Sequence, residues 1–289
     1  MRIYLMTDLE GPAGILDHEN WCRPESRYND LAKKLLTLEV NAAVEGFFSA
    51  GATEVLVADG HGSGGMNPDL LDPRAELMRG WAKGYPLGLE EGWDAVAWVG
   101  QHAKARTECA HIAHTQSFSW LNLAVNGINI GEFGQVVFCA SQLGIPSIFG
   151  AGDLAFTKEA QALVPGIETV AVKRGTKTGR GDELSAETYG KRNLSAIHKQ
   201  PQRARELIRA GAARALTRFQ TEKFGIVPLQ APFKRVIIVR QQADQPRRYS
   251  VCEHPDDMAA LMNMSAEYQP IDSDEQLAEL LAQSKDPGE

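Results

Sequence analysis

Residues 2–11 read Arg2-Ile3-Tyr4-Leu5-Met6-Thr7-Asp8-Leu9-Glu10-Gly11, an apolar strand whose C-terminal end carries carboxylates at i and i+2. A strand alternates its faces, so Asp8 and Glu10 project from the same side. Two like charges held together there need a counter-cation, because buried unpaired carboxylates are costly or take up protons. A metal ion meets that need if further ligands follow downstream.

Working outward from this strand, strand-like and helix-like segments alternate through the first two thirds of the chain. That alternation predicts an α/β fold with a mainly parallel sheet flanked by helices. A helical pattern spans residues 28–50, with Leu31, Leu35, Leu38, Ala42 and Phe47 as its apolar positions, and Gly51 stands where a C-cap belongs. The apolar run 54–59 is expected to be a buried strand opening into Gly60-His61-Gly62-Ser63-Gly64-Gly65. Residues 95–100 repeat the arrangement and end at Gln101-His102. Residues 121–130 alternate about Asn126-Gly127, a hairpin signal, and deliver Gly131-Glu132.

A helix over 134–143, a strand at 147–150 leading to Gly152-Asp153, a helix to Leu163 and a strand over 168–172 complete the pattern. Residues 173–181 then read as a basic, glycine-rich loop. Residues 203–219 read as a helix that closes the large unit or bridges to a second one. A strand over 234–240, a short helix over 276–282 and a polar, frayed tail follow. The expected organisation is a metal-binding catalytic α/β domain at 1–200, then a bridging helix and a smaller C-terminal α+β region at 201–289.

The 289 residues are 43% hydrophobic, enough for a sizeable core, and the formal charge of -7 argues against nucleic acid as a partner. The arginine-rich stretch 203–218 has Leu207, Ile208, Ala212 and Leu216 at helical spacing, so it reads as a solvated helix face. No apolar run of about 18 residues exists to span a bilayer. Residue 2 already lies in a strand, leaving no room for a signal segment, and the chain is expected to be cytoplasmic. Cys22, Cys109, Cys139 and Cys252 are scattered, without a disulfide framework or a thiolate zinc pair.

Asp8, Glu10, His61, His102 and Glu132 all fall at predicted strand ends. In open parallel α/β sheets the loops after those ends line one crevice, so residues distant in sequence converge there. Nitrogen and oxygen donors without thiolate suit zinc, with manganese or cobalt as rivals, whereas calcium prefers oxygen alone. Three carboxylates against two divalent ions and a bridging hydroxide make a neutral site; a single ion leaves it negative and over-supplied with ligands. Asp8, with two oxygens, is the expected bridge. Two ions about 3.5–4 Å apart can share a water, lower its pKa toward about 7 and polarise a carbonyl or phosphoryl oxygen. His114 follows before the hairpin and could overhang the ions as a proton carrier, while His111 could be only a surface group. Periodicity does not separate these two.

Asp8-Leu9-Glu10-Gly11, Asp59-Gly60-His61, Gly100-Gln101-His102-Ala103, His114 and Gly131-Glu132 together resemble the D-aminopeptidase (M55) family of zinc metallopeptidases. The likeness runs in order through about residues 1–180, takes in Gly152-Asp153 and Val172-Lys173, and fades in the last third. It implies that Asp8, Glu10, His61, His102 and Glu132 bind two zinc ions and that His114 is the catalytic histidine. It also implies hydrolysis of short peptides with an N-terminal D-amino acid, such as D-Ala-D-Ala, and a ring-shaped homodecamer. Departures from the pattern are Met6, Ala113 and Thr115, where the family usually has serine. The rival readings are a dinuclear phosphoesterase, with the basic loop gripping phosphate, and a non-catalytic metal-dependent binding protein.

Overall fold

The strand read from residue 2 is β1 (Arg2–Thr7) in the computed structural model, which describes residues 1–289. The chain continues through α1 (His18–Trp21) and α2 (Asn29–Ser49) to β2 (Glu54–Asp59), β3 (Glu76–Met78) and β4 (Ala95–Gln101). A hairpin of β5 (Trp120–Val125) and β6 (Ile128–Asn129) precedes α3 (Glu132–Gln142), β7 (Ser147–Asp153), α4 (Leu154–Leu163) and β8 (Glu168–Gly175). Then come α5 (Ala186–Gly190), β9 (Ala196–His198) and α6 (Pro201–Phe219). The chain finishes with β10 (Phe233–Val239), β11 (Arg248–His254), α7 (Met258–Asn263), β12 (Gln269–Pro270) and α8 (Asp274–Ala282).

Seven strands form one sheet in the order β3-β2-β1-β4-β7-β8-β9, parallel except for β9. Both faces are covered, which is why 55–58 and 95–99 read as unbroken apolar runs. Ile3, Leu5, Val55, Val57 and Val99 pack against Leu36, Val40 and Phe47 of α2 and Ile208 and Ala212 of α6. Tyr4, Met6, Val96 and Trp98 face the opposite way, toward Phe133, Val137, Phe156, Leu123 and Ile237. Thr7 is level with Asp59 on one side and Val99 on the other. From β1 the chain winds outward through β2 and β3, then crosses back to β4. The strand order therefore reverses between β1 and β4, the position where such sheets open a crevice.

The second sheet has the order β12-β11-β10-β5-β6 and is antiparallel. A two-stranded hairpin is marginal alone in water. The β5–β6 pair gains its support from β10, with Ile237 opposite Leu123. Helix α6, conversely, lies on α2 and β8 of the parallel sheet. The chain therefore crosses the expected division at residue 200 in both directions.

Two expectations are corrected. Strand β8 continues to Gly175, so Lys173 lies inside a strand, level with Asp153 of β7 and His198 of β9, and not in a basic loop. The tail does not fray. Asn129 N–H donates to Lys285 O (2.8 Å), Lys285 N–H donates to Gly127 O (3.0 Å), and Asp286 pairs with Lys104 (2.8 Å) and Arg180 (3.2 Å). Cross-strand backbone bonds and a buried counter-ion outweigh the polar composition that suggested disorder.

Candidate metal centre

Asp8 and Glu10 leave the end of β1, His61 follows β2, and His102 follows β4, so three neighbouring strand ends meet at the reversal of strand order. Glycine makes the meeting possible. Gly100 has φ +83°, and a Cβ on it would lie 2.1 Å from Asp8 O; one on Gly11 would lie 2.1 Å from Gly100 O. Both positions demand a residue without a side chain. The short approach is closed by Asp8 N–H to Val99 O (3.1 Å) and Gly11 N–H to Gly100 O (2.7 Å).

Asp8, Glu10 and His61 place their donor atoms within 4.8 Å of one another, and so do His102, His114 and Glu132. Asp8 joins the two trios, since its Oδ2 lies 3.1 Å from His102 Nε2 while it shares the first group with Glu10. Gln101 Nε2 donates to the same Oδ2 (3.0 Å) and Leu9 N–H to Oδ1 (2.8 Å), fixing this carboxylate. Glu10 Oε1 is 3.2 Å from His61 Nε2, and the backbone carbonyl of Glu10 accepts from the buried Lys173 ammonium. Glu132 opens α3; its Oε2 is 3.6 Å from His102 Nε2, and its Oε1 accepts from Gln116 N–H (2.6 Å).

The ring tautomers follow from carbonyl partners, which only accept. His102 donates from Nδ1 to Ala103 O (2.9 Å) and His114 from Nδ1 to Ile112 O (2.8 Å), so Nε2 of each ring is the atom open to an ion; on His102 it holds a proton until an ion replaces it, because burial is outweighed by Glu132 and Asp8, which raise that ring's pKa. The two rings stack at 4.0 Å and 16°. His102 Nε2 and Glu10 Oε2 are buried without a hydrogen-bond partner. Orphaned buried polar atoms beside three carboxylates are what a metal centre of nitrogen and oxygen donors requires, and the residues fit zinc.

Electrostatics point the same way. Burial, with repulsion from Glu10 next, pushes the Asp8 carboxyl up to about 7. Burial opposes the charged form of Glu132, but His102 wins and holds it at about 2. Burial likewise works against a charged His61, yet Glu10 raises it to about 9. His114 goes the other way, pulled down to about 4 by burial and then by His102, so its ring is a neutral base. Protonated His61 and His102 supply the positive charge these carboxylates need, the role a bound cation would take over, and the neutral His114 is suited to moving a proton.

All six residues singled out in the sequence therefore converge. His111 is not a surface group; it is fully buried and donates from Nε2 to Leu16 O (3.1 Å). Sequence reading missed His18, whose Nε2 lies 3.8 Å from Glu10 Oε1 and whose ring packs edge-on against Phe118 at 5.0 Å. Asp17 caps its short helix, and that cap was the available signal. Lys173 was quoted in the resemblance and placed in a loop but given no role, although a lone lysine at the end of an apolar run is unusual enough to mark it. Gln101 was quoted only as a neighbour of His102. Thr115, in place of a serine, accepts from Ala105 N–H (3.1 Å) through its hydroxyl, so that position braces the His102 loop. Ala113 and Met6 are buried in the core.

A cavity of about 440 Å³ opens over the centre, within the range of small-ligand sites. The fold and donor set define an α/β protein with a nitrogen- and oxygen-lined centre able to hold two ions. The family model for peptidase M55, D-aminopeptidase, matches residues 1–263, and the chain belongs to that family. The match reaches well past residue 180, where the likeness read from motifs fades. A curated D-aminopeptidase of Bacillus subtilis (strain 168) is 30% identical over 177 residues, 60% of this chain. The alignment spans 64% of that relative's length. The solved structure of the Zn-dependent D-aminopeptidase DppA from Bacillus subtilis, a self-compartmentalizing protease, superposes with a TM-score of 0.76 at 22% identity, covering 91% of this chain and 94% of that one. The shared fold is the mixed α/β architecture with a mostly parallel sheet.

Proposed function

We propose that this chain is a dinuclear zinc aminopeptidase that removes the N-terminal residue, a D-amino acid, from short peptides such as D-Ala-D-Ala. The observation that carries the reading is the pair of donor trios joined at Asp8, with the neutral His114 ring beside Glu132. Asp8, Glu10 and His61 would hold one ion, and Asp8, His102 and Glu132 the other. Bound there, the ions would supply Lewis-acid polarisation of the scissile carbonyl and a water activated near neutral pH. Manganese or cobalt would suit the same donors.

The remaining chemistry belongs to the protein's own groups. Gln101 keeps Asp8 oriented between the two trios, and the Ala103 carbonyl keeps the His102 lone pair on Nε2. His114, pinned through Nδ1 and stacked on His102, accepts a proton at Nε2 and returns it to the leaving amine. The free amine of a peptide N-terminus would meet a carboxylate or the second ion of this centre, which favours exopeptidase action. By analogy with the self-compartmentalizing relative, the chain would assemble into a closed homo-oligomer, a decameric ring in this reading. Its four cysteines are all free, in keeping with a cytoplasmic setting.

The phosphoesterase alternative needs a cationic grip near the ions. None of residues 174–181 lines the cavity, and the arginine that does, Arg23, is paired with Glu19 (2.9 Å) and Glu25 (2.8 Å). His114→Ala is the direct test. It should keep two metals per chain by elemental analysis while release of D-alanine from D-Ala-D-Ala falls at least about 100-fold, the scale of general acid–base catalysis. Undiminished turnover would remove His114 from the mechanism, and release of p-nitrophenol from its phosphate ester without any dipeptide hydrolysis would replace the reaction class.

A further inference from the structure

We propose that the cavity selects a substrate whose N-terminal residue carries a large apolar side chain, and that Trp81, Tyr85, Leu87 and Trp98 form the pocket that receives it. This rests on the aminopeptidase reading and adds the chemical class of the residue removed.

The cavity lining is of two unlike kinds. Its floor is apolar and closed, with Met6 5%, Trp98 1% and Val136 4% exposed. Trp81, Tyr85 and Leu87 rise above that floor, half-buried, from the single loop between β3 and β4. The lining also has a polar and more exposed part, His18, Arg23, Pro24, Gly62 and Ser63, with the Arg23 side chain 45% exposed. An enzyme that removes one residue needs a closed end beyond that residue and an open one for the departing chain. The apolar floor is therefore the N-terminal side, and the polar, more exposed part is where the rest of the peptide leaves.

The aromatic loop is held in place. Leu87 sits at φ +61°, a left-handed conformation that a leucine keeps only where its surroundings impose it. They do so from two directions. Tyr4 Oη, reaching up from β1, donates to Leu87 O (2.5 Å). Asn263, at the end of α7, accepts from Tyr85 N–H (2.9 Å) and donates to Tyr85 O (2.7 Å). Elements of both sheets thus converge to hold the backbone of Tyr85 and Leu87 at the cavity wall.

A single methyl would leave most of this wall facing water. A leucine or phenylalanine side chain covers it, and discrimination of about tenfold or more is the ordinary return for one to several carbons in an apolar pocket. The experiment is a kcat/KM series on the zinc-loaded protein with X-D-Ala dipeptides, X being Ala, Leu or Phe in both D and L forms, and with D-Ala-D-Phe as the positional control.

Leu and Phe at the N-terminus should exceed Ala by at least about tenfold, while bulk at the second position brings no such gain. Filling the lobe with Val136→Trp should cut the Phe-to-Ala ratio at least about tenfold at unchanged metal content. Should that variant not fold, Leu87→Gly, which removes the wall while relaxing its φ, should shrink the ratio in the same direction. Equal or faster turnover of D-Ala-D-Ala, or a gain confined to D-Ala-D-Phe, overturns the pocket assignment and leaves the peptidase standing. No hydrolysis of any dipeptide with both metals bound overturns both.

Discussion

Replacing Lys173 with methionine sets two effects of opposite sign against each other and separates stability from metal binding. Lys173 is 3% exposed within β8, and its ammonium donates to the carbonyl of Glu10. Burial pulls its pKa from 10.5 to about 8, against the attraction of Asp153 first and then Cys22 and Glu39. At about 1.4 kcal/mol per pH unit, keeping it charged at pH 7 costs the folded apoprotein about 3 kcal/mol relative to a free lysine. Methionine removes that cost. That cost is already net of the attraction to Asp153 and Glu39, but the variant also leaves the Glu10 carbonyl without its donor, a loss of about 1–3 kcal/mol.

The terms nearly cancel, so urea denaturation of the metal-free variant should give a stability within about 1–2 kcal/mol of the parent, an ordinary single-mutant effect. Zinc binding has no such offset. The turn that aims Glu10 loses its anchor, and affinity should fall about 10–100-fold in competition with a chromophoric chelator. The pH dependence checks the sign. A folded pKa below the unfolded one gives stability that is complete above 10.5 and lost as pH falls toward about 8, so the parent should gain stability between those values and the variant should not. Unchanged zinc affinity in Lys173→Met would refute the anchoring role.

Other outcomes follow from features of the same region. Gly100→Ala must hold φ +83° and bring a Cβ within 2.1 Å of Asp8 O, so it should lose at least about 2 kcal/mol in urea denaturation and bind zinc more weakly. Burial, with Lys173 and His198 adding to it, pulls His111 down from 6.5 to about 2. Its contribution is complete above pH 6.5 and lost as pH falls toward 2, amounting to about 1.4 kcal/mol by pH 5.5, and His111→Asn should flatten that acid slope. Chelation should abolish dipeptide hydrolysis while the far-UV circular dichroism persists, because the two large apolar clusters contain none of the proposed ligands. Loss of folding on chelation would favour a purely structural role for the ions.

The parallel sheet was legible because its strands are buried on both faces and read as apolar runs closed by glycine and polar residues, as at 54–60 and 95–102. Those same boundaries exposed Asp8, Glu10, His61 and His102, since the position of a residue at a strand end needs only local pattern. The second sheet was not legible in its pairing. Nothing in residues 120–129 says that their partner lies beyond residue 230, because register across such a distance is set by packing. Lys173 hid for a related reason: its neighbours Arg174 and Lys177 gave the stretch the composition of a solvated loop, while the contact that defines it is to Glu10, far back in the chain. The aromatic wall of Trp81, Tyr85 and Leu87 lay in a segment without periodicity, and only the clamps from Tyr4 and Asn263 give it a position.

The tie between Asp286 and Lys104 carries a consequence for the timing of synthesis. Every proposed metal donor has left the ribosome once residue 132 has emerged. Lys104, two residues beyond His102, meets its counter-ion only after Asp286 has been made, and β5 gains its partner only with β10. A growing chain thus displays its full donor set long before the loop behind His102 is secured. The centre should reach its final metal affinity late, once β10 and Asp286 have emerged, which would keep a half-made chain from cleaving peptides.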